Sequence, residues 1–139
     1  MGRLQWDPRY TIGIGEIDHQ HGMLFRLINE LSDATAKGED RALMARVMTQ
    51  LVAFIRTHFA YEERLFEPSG DPDFAQHQAI HAAFIRRFNQ LDTEFRAGQE
   101  NVRNEVCAFL REWIVEHVQG MDVRAAAHLR ESDAPIPSL

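Results

Sequence analysis

Seven side chains in this sequence carry groups that bind metal ions, and their spacing lets them meet. They are His21, His58, Glu62, His77, His81, His117 and Asp122. Imidazole nitrogens suit iron, zinc, copper or nickel, and carboxylates can span two ions. His58 and Glu62 are four residues apart, as are His77 and His81, so on a helix each pair projects from one face. His117 and Asp122 are five apart, which on an ideal helix turns them roughly 140° from each other. Asp122 therefore joins the others only if its helix is distorted there, and Gly120 between the two is a candidate site for a bulge.

Four long periodic segments position these groups. The first runs from about Asp18, a plausible N-cap, to Lys37, with Gly38 as its stop. The second runs from about Asp40 to Glu67 and ends at Pro68-Ser69-Gly70. The third starts near Pro72 and ends at Gly98, and the fourth runs from about Gln99 into the 120s and frays before Pro135. Each has an apolar seam at 3/4 spacing, for example Ile17, His21, Leu24, Ile28, Leu31 in the first and His77, His81, Phe84, Phe88, Leu91 in the third. The second seam reads Val47, Leu51, Phe54, His58, Glu62, Leu65, and the fourth Val102, Val106, Phe109 or Leu110, Trp113, His117. Short connections make successive helices antiparallel, so the expected fold is all-α, an up-down-up-down four-helix bundle. One domain spans residues 1–139: an extended arm over 1–17, the bundle over 18–131 and a tail over 132–139.

Antiparallel helices bring residues equidistant from their shared loop to equal height. His21 and His58 lie about 18 and 19 residues either side of the first loop, near residue 39. His81 and His117 each lie about 18 residues from the third loop, near residue 99. At 1.5 Å per residue, all four sit roughly 27 Å from the same end. Glu62 and His77 match about the middle loop, near residue 70.

Tetrahedral zinc takes four ligands, and seven candidates exceed that. Two octahedral irons offer about twelve positions. Five imidazoles, two bridging carboxylates and one shared oxygen, an oxo or hydroxo bridge, fill all but one. One helical turn inward from the histidines lie Leu24, Phe54, Phe84 and Trp113, a layer that excludes water and offers few proton donors. The vacancy therefore suits a small molecule such as dioxygen, held and released.

Bulk properties exclude other classes. The 139 residues carry a net charge of −6 with no basic stripe, so nucleic acid is not an expected partner. No apolar run approaches a membrane span, and the start MGRLQWDPRY has neither a signal-peptide core nor the Ser/Thr of a myristoylation motif. With a single cysteine, Cys107, the expected compartment is cytoplasmic.

The chain resembles the hemerythrin family, in particular its single-domain bacterial members. The resemblance is carried by Trp6–Ile14 (WDPRYTIGI), Ile17–His21 (IDHQH), His58–Glu63 (HFAYEE), His77–His81 (HQAIH) and Leu110–Asp122 (LREWIVEHVQGMD), which span almost the whole chain. It implies a non-haem di-iron centre that binds dioxygen reversibly. It also implies His77, His81 and His117 on one iron, His21 and His58 on the other with the vacant position, and Glu62 and Asp122 bridging. The chain departs from the pattern in two places. The family commonly has an aromatic a few residues after Asp122, where this chain reads VRAAAHL. A Tyr is usual after Gly70, where this chain reads GDPDF.

Other polar residues have blander readings. His19 and His128 fall off the seams and are expected in solvent. Glu63 is expected in solvent too, with a hydrogen bond to a ligand as the alternative. Asp18 is expected as a cap and Cys107 as packing. Glu16 and His19 make an isolated E-x-x-H, short of the two such motifs and two further glutamates of ferritin-like sites. The leading function is oxygen storage, delivery or transport, without catalysis. The alternatives are an oxygen- or redox-sensing module acting through a protein partner, and a di-iron enzyme handling peroxide or nitric oxide.

Overall fold

A computed structural model describes residues 4–38 and 40–132. The expected tail over 132–139 falls outside them except for Ser132, as do the first three residues of the arm and the centre of the first loop. Helix α1 spans Gly15–Ala36, α2 Arg41–Phe66, α3 Phe74–Arg96, α4 Val102–His117 and α5 Val123–Glu131. α1 packs on α2 and α4, and α3 packs on the same two, which is the closed ring of an up-down-up-down four-helix bundle. Between α4 and α5, residues Val118–Asp122 form a π-helical segment, so the fourth rod runs through a wide turn into α5. Among the described residues no helix is long and apolar enough to cross a membrane.

Most seam positions are buried as their spacing predicts, with Phe54, Phe74 and Trp113 only half-buried. Ile17, Leu24, Ile28 and Leu31 of α1 meet Leu51 and Ile55 of α2, Phe84, Phe88 and Leu91 of α3, and Leu110 and Ile114 of α4 in one core. Burying each such side chain contributes about 1.5–3 kcal/mol. Leu110, not Phe109, takes the inner place on α4.

The first helix begins earlier than Asp18. Ile14 precedes its first residue without a side-chain cap, and the Asp18 carboxylate, one turn in, accepts the N–H groups of Ile12 (2.8 Å) and Gly13 (3.2 Å). Asp18 therefore pins the arm to the helix instead of capping it, and helix and arm share one anchor. The arm is further held by Asn29, which pairs with both backbone groups of Leu4 at 2.8 Å, and by Arg130, which donates to the Ile12 carbonyl at 2.7 Å. It is not wholly extended: Pro8–Tyr10 is a 3₁₀ turn capped by Asp7, and Tyr10 and Trp6 pack edge-on against Phe25.

Asp40 caps α2 through the N–H of Leu43 (2.8 Å). Gly38 and Gly98, which end α1 and α3, have φ of +65° and +99°, a region where a Cβ is strained. Gly120 differs. Its φ is not positive, and a Cβ there would meet only the Arg124 guanidinium at 3.6 Å, so the π segment does not depend on glycine. Two substitutions separate the cases. Gly98→Ala should cost about 1–2 kcal/mol in denaturant titration through backbone strain alone. Gly120→Ala should be neutral or stabilising by up to about 1 kcal/mol.

Candidate metal centre

All four rods contribute to one polar cluster in the middle of this apolar core. His21 comes from α1, His58 and Glu62 from α2, His77 and His81 from α3, His117 from the end of α4 and Asp122 from the π segment. His21, Glu62 and Asp122 are 0% exposed, and the other four are buried as well. The π segment explains how Asp122 arrives. A π turn takes one more residue than an α turn, so two positions five apart, His117 and Asp122, come onto one face.

The two carboxylates are each shared between two groups of imidazoles. Glu62 turns Oε1 toward His58 Nε2 and toward His21 Nε2 at 3.4 Å, and Oε2 toward Nε2 of His77 and His81 at 3.5 and 3.7 Å. Asp122 places Oδ2 3.2 Å from His21 Nε2, and Oδ1 3.0 and 3.1 Å from Nε2 of His77 and His117. One side of the cluster thus holds three imidazoles and the other holds two, with Glu62 and Asp122 facing both.

This arrangement is poor as a hydrogen-bond network and good as a ligand set. Glu62 Oε2 and both Asp122 oxygens are buried without an aligned hydrogen bond, which costs roughly 1–3 kcal/mol or more per group if nothing else satisfies them. The Nε2 of His117 lies 3.1 Å from the Nε2 atoms of both His77 and His81, so ring nitrogens point at one another. A shared cation would resolve both problems. The five atoms of the larger group and the three of the smaller each lie within 4.8 Å of one another.

Two of the rings are fixed from behind. His81 Nδ1 donates to Glu63 Oε2 (3.1 Å), whose Oε1 accepts Gln78 (2.9 Å). His58 Nδ1 donates to Gln20 Oε1 (2.6 Å), whose Nε2 donates to Glu16 Oε1 (2.8 Å). Glu63 is therefore not merely solvated. Gln20 escaped sequence reasoning because it lies beside the seam, and its one signal was its place next to His21. His19 is exposed, whereas His128 is half-buried and meets the Ser69 carbonyl at 3.1 Å.

Beside the cluster lies a small, partly open cavity of about 10 Å³, lined by Leu24, Ile28, Ile55, Phe59, Phe84, Leu110, Trp113 and Ile114. Of the four residues expected there, Leu24, Phe84 and Trp113 line it. Phe54 is half-buried elsewhere, and Ile55 and Phe59 take its place. Two wall residues also stack on rings of the cluster: Phe59 on His81 (3.8 Å, 2°) and Trp113 on His117 (4.2 Å, 14°).

The Hemerythrin HHE cation binding domain model matches residues 12–127. The chain belongs to the hemerythrin family. It is 36% identical over 132 residues to a bacteriohemerythrin of Pseudomonas aeruginosa strain LESB58, covering 95% of this chain and 85% of that one. It is 28% identical over 120 residues to a myohemerythrin of Theromyzon tessulatum, covering 86% and 88%. A crystal structure of wild-type hemerythrin superposes with a TM-score of 0.84 at 28% identity, covering 92% of this chain and 98% of that one. The cluster of histidine, glutamate and aspartate is compatible with the two-iron site of this family.

Without metal, protons balance the cluster. Burial opposes charge on His21 and His77, but the adjacent Asp122 and Glu62 prevail and raise both to about 9. Burial, with His117 and His77 nearby, lowers His81 to about 4 against the pull of Glu62 and Glu63. Burial and Glu62 push Asp122 up, yet His117 and His21 bring it down to about 2, and His58 with its neighbours holds Glu62 well below the usual range. Because His21 and His77 are raised above 6.5, their contribution to the metal-free fold is complete below that pH and is lost as pH rises through about 9. Thermal melts of metal-free protein should therefore fall between pH 7 and pH 10. Metal loading should abolish that fall and release about two protons per chain at pH 7, measurable by calorimetry in buffers of different ionisation enthalpy.

Proposed function

We propose that the chain binds dioxygen reversibly at a pair of non-haem irons, for oxygen storage, delivery or transport. His77, His81 and His117 would hold one iron and His21 and His58 the other, with Glu62 and Asp122 spanning both. The observation that carries the reading is the uneven division of donors around two shared carboxylates, five atoms on one side and, when Asp122 Oδ2 beside His21 is added to the three of the smaller group, four on the other. The side with two imidazoles is short by one donor, and the apolar cavity lies one helical turn from the cluster, its walls Phe59 and Trp113 stacked on His81 and His117. Leu24 is three residues after His21 and Ile55 three before His58, one turn along each helix.

When bound, a pair of irons would supply the redox chemistry for holding dioxygen. The protein's own contribution is steric and dielectric. A cavity of about 10 Å³ is near the minimum for one small molecule. Its walls are aliphatic and aromatic, with the Trp113 indole as the one N–H among the lining side chains. No residue on the wall titrates, so none delivers a proton to drive bond cleavage, which disfavours peroxide or nitric oxide turnover.

Reduced, iron-loaded protein should contain two irons per chain and gain an absorption band under oxygen that disappears under argon. Irreversible oxidation with turnover of added peroxide would sink the carrier reading. His117→Ala should lose iron and stability together, and unchanged iron content would remove His117 from the ligand set. Leu24→Ser should keep both irons and oxidise faster in air, at a cost near 3 kcal/mol in stability. An unchanged oxidation rate would exclude Leu24 from the pocket.

A further inference from the structure

We propose that Glu63 and Gln20 are positioning residues that give the two halves of the centre unequal donor strength, a strong imidazole at His81 and a weaker one at His58. The proposal rests on the two-iron reading above. Both residues occupy the same relation to the cluster, since each takes the Nδ1–H of a ring whose Nε2 faces it. They differ in charge. Glu63 presents a carboxylate oxygen to His81 at 3.1 Å, and Gln20 presents a neutral amide oxygen to His58 at 2.6 Å.

The orientation of each acceptor is fixed by a further contact. The Gln20 amide nitrogen donates to Glu16 at 2.8 Å, so only its oxygen can face His58. Glu63 accepts Gln78 on its other oxygen at 2.9 Å. Each arrangement sets the tautomer of its ring, with the proton on Nδ1 and the lone pair on Nε2 toward the cluster. A carboxylate behind an imidazole draws on the Nδ1 proton and raises basicity at Nε2, and a neutral amide does so less. Electron density is thus pushed onto the side with three imidazoles, which is already the richer in donors. The side short of a donor is left the poorer. That polarity favours retention of the reduced state where a small molecule would enter.

Glu16 beside Gln20 makes the polarity testable. Gln20→Glu alone would set two carboxylates against each other, but the double variant Glu16→Gln/Gln20→Glu swaps the groups and keeps both hydrogen bonds. Glu63→Gln removes the charge behind His81 at nearly constant shape. The measurements are zinc affinity, which involves no redox or oxygen chemistry, and the midpoint potential of iron-loaded protein. Iron content and helical circular dichroism serve as controls. Glu63→Gln should weaken zinc binding about tenfold to a hundredfold and raise the potential. The double variant should tighten zinc binding and lower the potential.

Shifts in opposite directions support the assignment. Potentials that stay at the wild-type value, or move together, with two irons retained, overturn it. If Glu63→Gln fails to fold, the double variant decides alone: a lowered potential supports the assignment and an unchanged one overturns it. A wild-type protein holding fewer than two irons defeats the two-iron reading itself, which is a distinguishable result.

Discussion

Two carboxylates with no solvent exposure, inside a bundle of aliphatic and aromatic side chains, are the constraint on which this structure turns. Glu62 and Asp122 are both fully buried, and a buried charge left without a partner destabilises a fold by several kcal/mol. Imidazoles from all four rods surround them. Protons on His21 and His77 can neutralise the pair only in part of the pH range, and they leave Nε2 atoms of neighbouring rings 3.1 Å apart. Two cations would settle the whole set at once: they would neutralise the carboxylates, occupy the space between the ring nitrogens and tie four helices together at one level. Binding and folding are then linked through the same atoms, because the separated chain has no such site.

The π segment follows from that constraint. An α-helix running on past His117 would turn Asp122 away from the cluster, leaving Glu62 as the one buried carboxylate among five imidazoles. The widened turn over Val118–Asp122 brings the second one in. π segments are rare and concentrate at functional sites, and here the reason is visible in the charge balance. The glycine within the segment is not what permits it. Gly120 sits in ordinary right-handed backbone with room for a Cβ. Burial of Asp122 among its partners is the better cause of the bulge.

Much of this was legible in the sequence, because helical geometry supplies two separate tests. Seam membership and distance from the nearest loop agree for His21, His58, Glu62, His77, His81 and His117, and both follow from the pitch and rise of an α-helix. Asp122 fails the first test, and it enters only through a distortion that no periodicity announces. Gln20 and Glu63 lie one step off their seams, where a polar residue usually reads as solvated. Their contacts, with His58 on α2 and His81 on α3, come from pairs of helices that the sequence does not dock in detail. Phe54 shows the limit on the apolar side. Residues three and four before His58 share nearly the same face, and the packing chose Ile55 for the cavity. The start of α1 was obscured by Asp18, which resembles a cap but acts backwards on the arm.

The aromatic walls couple the site's access to its stability. Phe59 lies flat on His81 and Trp113 on His117, and both also line the cavity beside the cluster. A side chain that both clamps a ligand ring and shapes the adjoining space cannot be trimmed for one purpose alone. Shortening Phe59 would enlarge the cavity and also free the His81 ring from its stacking partner, leaving Glu63 to hold it. The aliphatic wall is different: Leu24 and Ile55 stack on no ligand ring. Changes at Leu24 and Ile55 would therefore reshape the cavity without freeing a ring of the cluster, whereas at Phe59 and Trp113 the two change together.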